Sequence, residues 1–446
     1  MKPTHAWLEL TCLTDVAVSA TAASVGGHEV LPYIPGSALL GAAAARLYPA
    51  LLKEEDGIER CWATFHDGSL RFGPGWPASS AGAPAWPAPL SLHHEKDSSP
   101  GAERIAAEAV ENLAARDASF RPRMKQLRGV HVDAFGHLVR PRLRESLRTA
   151  VDPRSGRART GLLYELNALA ADTRLIARVE ADDAAALERV VDALTGEEEI
   201  VLGRSRRAEL GRVRVRRLAA PPPEPAVQDT PPTDEAVFWC VSDLAWRDPD
   251  TGQPAFVPPP QALGLPADWH YAPERSFVRT RVYSPFNAHR RRPDLERQVI
   301  LGGSVLVYEG ESPCDPAAVR AAIARGTGLY RECGLGRLAY APRCLAGLQP
   351  RFESPPAAGT GRKGTDAPAP RSALIDWLQR ERLRETLEDA AWKLAKTLRD
   401  ELLAMPAWRR LPPSQWYELA RQVQRRPGNP LRAVREFTGS SMRKLP

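Results

Sequence analysis

Two turns in this 446-residue chain combine the residue types that hold phosphate. Gly203-Arg204-Ser205-Arg206-Arg207-Ala208-Glu209-Leu210-Gly211-Arg212 follows an apolar stripe of helical spacing and leads into a strand pattern. Gly326-Thr327-Gly328-Leu329-Tyr330-Arg331-Glu332-Cys333-Gly334-Leu335-Gly336-Arg337 does the same further on. Glycine has no Cβ, so its backbone can approach an anion and aim successive N–H groups at it, while arginine adds charge. The candidate contacts are Gly203, Arg204, Arg206, Arg207, Gly211 and Arg212 in the first turn, and Gly328, Arg331, Gly334, Gly336 and Arg337 in the second. Neither is a nucleotide loop: the first lacks the G-x-x-x-x-G-K-[ST] order, and both follow helices rather than strands. Taken singly each also suits a plain surface hairpin, and recurrence at matching places is what favours phosphate.

Ile34-Pro35-Gly36-Ser37 stands before an Ala/Leu-rich run, so Gly36 and Ser37 sit where free amides and a helix dipole attract phosphate, or where an ordinary N-cap would sit. The stretch 140–165 carries Arg140, Arg142, Arg144, Arg148, Arg154, Arg157 and Arg159, with Arg128 upstream, and reads as an arm tracking single-stranded RNA or as a solvated face. For catalysis, His131-Val132-Asp133 puts an imidazole and a carboxylate on one strand face, and Asp15 ends the first strand. An Asp at a strand end is usually a turn former. His93-His94 falls in a low-complexity stretch. No pair makes a nucleophile with its base, so no catalytic residue is expected. The six cysteines (Cys12, Cys61, Cys240, Cys314, Cys333, Cys344) are scattered without a C-x-x-C pair, so reduced thiols are expected, with no metal site and no cofactor.

The elements that must position these residues come twice. Residues 6–12 alternate as a half-buried strand, 38–52 read as a helix capped by Ser37 or Gly36, 182–196 as a helix with Leu187, Val190, Val191 and Leu194 on one stripe, and 212–218 as a strand. Further on, 237–244 and 299–308 are strand-like, Asp315-Pro316 caps a helix through residue 325, and Leu338-Ala339-Tyr340 follows the second turn. An internal duplication of a β-α-β-β-α-β unit explains both halves. The expected class is therefore α+β, with two ferredoxin-like (RRM-like) domains carrying insertions, followed by a small α-helical C-terminal region. Proline-rich stretches at 219–234 and 351–370 divide the chain into 1–218, 235–350 and 371–446, with a loop-like insertion near 73–101.

Composition narrows the classes. At 43% hydrophobic and 26% charged residues, wholesale disorder and a coiled-coil rod are excluded. No apolar run approaches the ~18 residues of a membrane span, so a soluble, cytosolic chain without membrane partners is expected. Of 61 basic residues 53 are arginine, whose planar fork grips phosphate and stacks on bases, although GC-rich codon usage would give the same ratio. The region 371–446 has 16 Lys/Arg against 9 Asp/Glu, an excess equal to the whole chain's +7. Its leucines from Leu374 to Leu402 recur at helical spacing.

Leu13-Thr14-Asp15, Tyr33-Ile34-Pro35-Gly36-Ser37-Ala38-Leu39-Leu40-Gly41, Arg71-Phe72-Gly73, the V-D-x-x-x-G-x-A-x-x-G-x-L-Y stretch at 151–164 and the two terminal glycine-rich turns occur together. In this combination residues 5–350 resemble the RAMP superfamily of CRISPR effector subunits. The layout is most similar to the large, two-domain Cas5-like RAMP subunit of type III-D complexes. The resemblance implies a non-catalytic, RNA-binding subunit that holds guide RNA near its 5′ repeat-derived tag, with RAMP backbone subunits and the large subunit as partners and target RNA nearby. It places Gly36 and Ser37 beneath the guide, 203–212 and 328–337 as RNA-facing turns, and 140–159 as an arm along RNA. Asp15 departs from the family pattern, in which a cleaving aspartate lies after the first helix. An RNA endonuclease acting on target or precursor RNA, and a scaffold with incidental RNA contacts, remain the alternatives.

Overall fold

The computed structural model describes residues 4–20, 29–101, 103–151, 158–197, 199–204, 210–287 and 289–355, with backbone pairing alone at 147–151 and 158–165. All of these belong to one unit, 1–356. The tail 371–446 and its leucine stripe lie outside the described residues.

β1 (Thr4–Cys12) is central because its alternation sends Ala6, Leu8, Leu10 and Cys12 into the core. It is followed by α1 (Gly36–Leu51), α2 (Gly57–Phe65), β2 (Leu70–Phe72), β3 (Arg174–Ala181), α3 (Ala184–Thr195) and β4 (Arg212–Arg217). The sheet runs β4-β1-β3-β2, every pair antiparallel, which is the strand order of a β-α-β-β-α-β unit. Leu39 and Ala43 of α1 and the stripe Leu187, Val190, Val191 and Leu194 of α3 are buried in the core that this sheet shares. The Asp183 carboxylate starts α3 by accepting from the amides of Ala185 and Ala186.

The insertion differs from the expected loop at 73–101. It runs from β2 to β3, and most of its first part is buried, with Trp76, Trp86, Leu90 and Leu92 in the interior. Residues buried on both sides need show no alternation, which is why this stretch does not read as strand. Short strands form two three-stranded sheets there, one of them holding Leu92–Glu95, so His93 and His94 are buried in a strand rather than lying in an exposed loop. A hairpin of Leu143–Val151 and Ala158–Leu169 completes the insertion.

Beyond 218 the chain builds β5 (Glu235–Cys240), β6 (His270–Tyr271), β7 (Val305–Glu309), α4 (Pro316–Ile323) and β8 (Leu338–Tyr340). The order β6-β7-β5-β8 repeats that of the first sheet, again antiparallel. Between β5 and β6, however, the described chain forms a short hairpin of Trp246–Arg247 with Pro254–Ala255 and the 3-10 turn Pro260–Leu263 in place of a crossover helix. Pro254, Pro258, Pro259, Pro260 and Pro266 supply no amide donors and exclude a helix there. The proline-rich 219–234 lies along the second sheet: Gln228 donates from its amide to Ala341, and Ala226 accepts from the Arg343 amide.

Candidate nucleic-acid interface

The start of α1 is where distant motifs meet. Ile34 and Gly75 exchange two backbone hydrogen bonds, which fixes the approach to the helix. Pro35 is the N-cap and no side chain caps the helix, so neither Ser37 nor Gly36 plays the capping role expected of it. Gly36 is pressed against backbone instead: a Cβ there would lie 1.7 Å from the Phe72 carbonyl oxygen and 2.5 Å from that of Cys333. The same Phe72 oxygen would lie 2.2 Å from a Cβ on Gly334, which has φ +79°. Glycine at both positions thus serves close packing of protein on protein.

The remaining turn glycines are held likewise. Added Cβ atoms on Gly203 and Gly211 would meet the Ala17 and Leu202 carbonyls, and on Gly328 and Gly336 those of Ala245 and Thr327. In the first turn Arg204 donates to Ser19 Oγ at 3.2 Å, and Arg212 Nε donates to both carboxylate oxygens of Glu199. Arg206 and Arg207 lie outside the described residues. In the second turn the Arg331 guanidinium lies against Gly68, and Arg337 donates to Glu180 at 2.6 Å.

Glu180, on β3, is a buried hub. Arg178 and Arg337 each reach its Oε1 at 2.6 Å, and Arg71 Nε stands 3.7 Å from Oε2. Burial pushes its carboxyl up, but Arg337 and Arg178 outweigh burial and hold it below its ordinary value. Asp182 adds Arg71 at 2.9 Å and Arg325 at 3.4 Å. Arg325 and Arg337 come from the second half, so the network ties both sheets together.

A second cluster joins the loop before α1 to a hairpin of Thr280–Tyr283 and Arg297–Ile300. Arg281 pairs with Asp243 at 2.6 Å and donates to the Tyr33 hydroxyl at 3.2 Å. Its guanidinium covers the Tyr283 ring at 4.6 Å, and that of Arg297 covers Tyr330 at 3.8 Å. Burial, then Asp243, raises the Tyr33 phenol above its ordinary range. The hairpin tip pairs Phe286–Asn287 with Arg292–Pro293 and exposes Phe286 and Arg290-Arg291-Arg292. Those three arginines have no carboxylate partner among the described residues. They escape a glycine-centred reading of the sequence, although three consecutive arginines are the signal.

Arg140 and Arg142 are exposed. Arg154 and Arg157 lie outside the described residues, and Arg159 is placed only as part of a paired strand. Asp15 accepts the Ala171 amide at 2.9 Å and faces Arg144 at 3.5 Å, a turn-holding arrangement. His131 and Asp133 do not pair as their spacing suggests. Asp133 accepts from the amides of Phe135 and His137 and lies 2.8 Å from His137 Nδ1, whereas His131 is buried beside Trp76 with Nδ1 unpartnered. Burial pulls His131 down to about 4. Among the described residues no three His, Cys, Asp or Glu side chains are grouped to hold a metal, and no helix is long and apolar enough to cross a membrane.

No family model matches the chain, and no curated protein matches it. Solved structures do. It is similar to a chain of type III-B Cmr-beta bound to cognate target RNA, at 11% identity and a TM-score of 0.42 over 77% of this chain and 99% of that one. It is similar to an RAMP protein binding different RNA substrates, at 8% identity and a TM-score of 0.32 over 75% and 98% of the two chains. It is also similar to the product of a Cas6-related gene from Pyrococcus furiosus, at 9% identity and a TM-score of 0.32 over 76% and 98%.

Proposed function

We propose that this chain is a non-catalytic, RNA-binding structural subunit of a type III CRISPR ribonucleoprotein. In this reading its two sheets are two RAMP domains of ferredoxin-like order, as in a Cas5-like subunit of type III-D. It holds the guide RNA near its 5′ repeat-derived tag, contacts RAMP backbone subunits and the large subunit in the cytoplasm, and lies near target RNA. The observation that carries the proposal is the set of exposed arginines that no carboxylate engages among the described residues. These, Arg140, Arg142 and Arg290 to Arg292, supply charge for a phosphate backbone. Holding rather than cutting is supported by the three catalytic candidates, since Asp15 and Asp133 brace turns and His131 is buried.

The test is co-expression with a repeat array and sibling subunits, followed by sequencing of the RNA retained. Guides with a repeat-derived 5′ end, crosslinked to this chain, are expected. Absence of RNA from the assembled particle overturns the proposal. So does loss of target cuts in Asp15→Ala, His131→Ala or Asp133→Ala particles that still assemble.

A further inference from the structure

We infer that Arg128, Arg279 and Phe120 form a site for single-stranded RNA, with one backbone phosphate between the two guanidinium groups and one base on the phenylalanine ring. The inference deepens the RNA-binding reading and rests on it.

Arg128 and Arg279 are about 150 residues apart in sequence, and backbone contacts bring them to one place. The strand Leu92–Glu95 pairs with Met124–Gln126, and the Leu127 amide donates to Leu92. The Leu90 amide in turn donates to Gly303 at 2.7 Å, the Leu301 amide donates to Arg279 at 2.7 Å, and the Arg279 amide donates to Ser304 Oγ at 3.2 Å. No carboxylate pairs with either arginine among the described residues. Arg128 donates only to the Gln126 side chain, at 2.8 Å, and the Arg279 guanidinium donates to nothing there. Burial and then the charge of Arg128 lower Arg279. Among the described residues Arg71, Arg178, Arg275, Arg281 and Arg337 are buried or half-buried and each pairs with an acid, whereas half-buried Arg279, like Arg297, has none and Arg128 is exposed.

An aromatic row distinguishes nucleic acid from free phosphate. Phe277, two residues before Arg279, lies 5.4 Å from the His93 ring, and His93 meets Phe120 edge-on at 6.4 Å. Burial holds His93 below its ordinary pKa against a hydrogen bond to the Ser91 carbonyl that raises it, and Arg128 adds to the lowering. Phe120 itself is 69% exposed, an apolar face open to a base beside a cationic pair.

The test uses the full chain, a fluorescent single-stranded RNA and a salt series. Arg128→Ala with Arg279→Ala should weaken binding and reduce the log–log salt slope by ~0.7, one phosphate's worth. Phe120→Ala should weaken binding roughly tenfold with the slope unchanged, as loss of stacking does. Arg128→Glu gives Arg279 an internal partner, so it should keep or raise the melting temperature while RNA affinity falls, which a merely structural role does not produce. If wild-type chain binds RNA and these variants bind it with the same affinity and slope, the site is refuted and the broader reading stands. If wild-type chain binds no RNA, both fall. Inorganic phosphate is titrated at fixed ionic strength as a further arm. Phosphate binding that Arg128→Glu abolishes, with RNA affinity unchanged, makes this a free-anion site and overturns the assignment.

Discussion

The Cβ that Gly36 lacks would stand 2.5 Å from the carbonyl oxygen of Cys333, so the first turn of α1 and the second glycine-rich turn are packed backbone to backbone. That contact joins residues about 300 positions apart and lies in the middle of the segments that carry the family resemblance.

Gly36→Ala should therefore destabilise the fold by about 3 kcal/mol, because the Phe72 and Cys333 carbonyls belong to rigid elements that cannot move aside. Ser37→Ala, one position on, should change stability by less than about 0.5 kcal/mol, since the hydroxyl caps nothing. Chemical denaturation of the two variants checks the contrast. A large loss in Ser37→Ala with a neutral Gly36→Ala would reverse the assignment of roles.

Elements of the first sheet and its helices were legible in the sequence where they show one clean period. Leu187, Val190, Val191 and Leu194 mark α3, and the alternation of Ala6, Leu8, Leu10 and Cys12 marks β1. The repeated order of the two sheets was foreshadowed by the recurring Gly-Arg turn. What stayed hidden is non-local. Trp76 and Trp86 sit among prolines and show no period, yet they are core residues. Arg337 looks like a phosphate ligand in its turn, and only the fold brings Glu180 to it from β3. Arg128 and Arg279 meet for the same kind of reason, through contacts that no spacing encodes.

Glu180 is nearly inaccessible and faces three arginines. Changing Glu180→Gln removes the buried carboxylate that all three share, leaving Arg71 with Asp182 and Arg178 with Glu224, and breaking a buried ion pair costs up to ~3–5 kcal/mol. Because Arg337 belongs to the second half and Glu180 to the first, the variant should also expose a protease-sensitive region between 218 and 235. Limited proteolysis and denaturation together read both effects. Wild-type stability in Glu180→Gln would show that the arginines are solvated without it.

Acid should weaken the fold through His131. Its folded pKa is pulled down to about 4 from 6.5, so it is neutral in the fold while the unfolded chain takes up a proton below 6.5. Unfolding then binds protons, and stability falls as pH drops from 6.5 toward 4, by up to ~3 kcal/mol at 1.36 kcal/mol per pH unit. Above 6.5 this contribution is constant. His131→Phe keeps the contact with Trp76 and cannot be protonated, so its stability profile should be flatter than wild type across that window. Parallel profiles would mean that His131 is protonated equally in both states.

The arginines of the hairpin tip and of the second turn should differ in what they do to RNA binding. Arg290, Arg291 and Arg292 are exposed beside Phe286 and unpaired with acids among the described residues, whereas Arg337 is already committed to Glu180 at 2.6 Å. A guanidinium that must first leave a buried carboxylate gains little from a phosphate, because the partner it abandons stays desolvated. Replacing all three tip arginines by Ala should weaken binding to single-stranded RNA and lower the log–log salt slope by ~0.7 for each phosphate they contact, about 2 in total if all three engage. Melting temperature should stay at its wild-type value, since the tip braces nothing. Arg337→Ala should do the opposite, lowering stability while leaving the salt slope of the folded fraction unchanged. Fluorescence anisotropy across a salt series, paired with thermal melting of the same preparations, separates the two behaviours. A slope that falls in Arg337→Ala and holds in the tip variant would move the RNA contact from the hairpin to the glycine-rich turn.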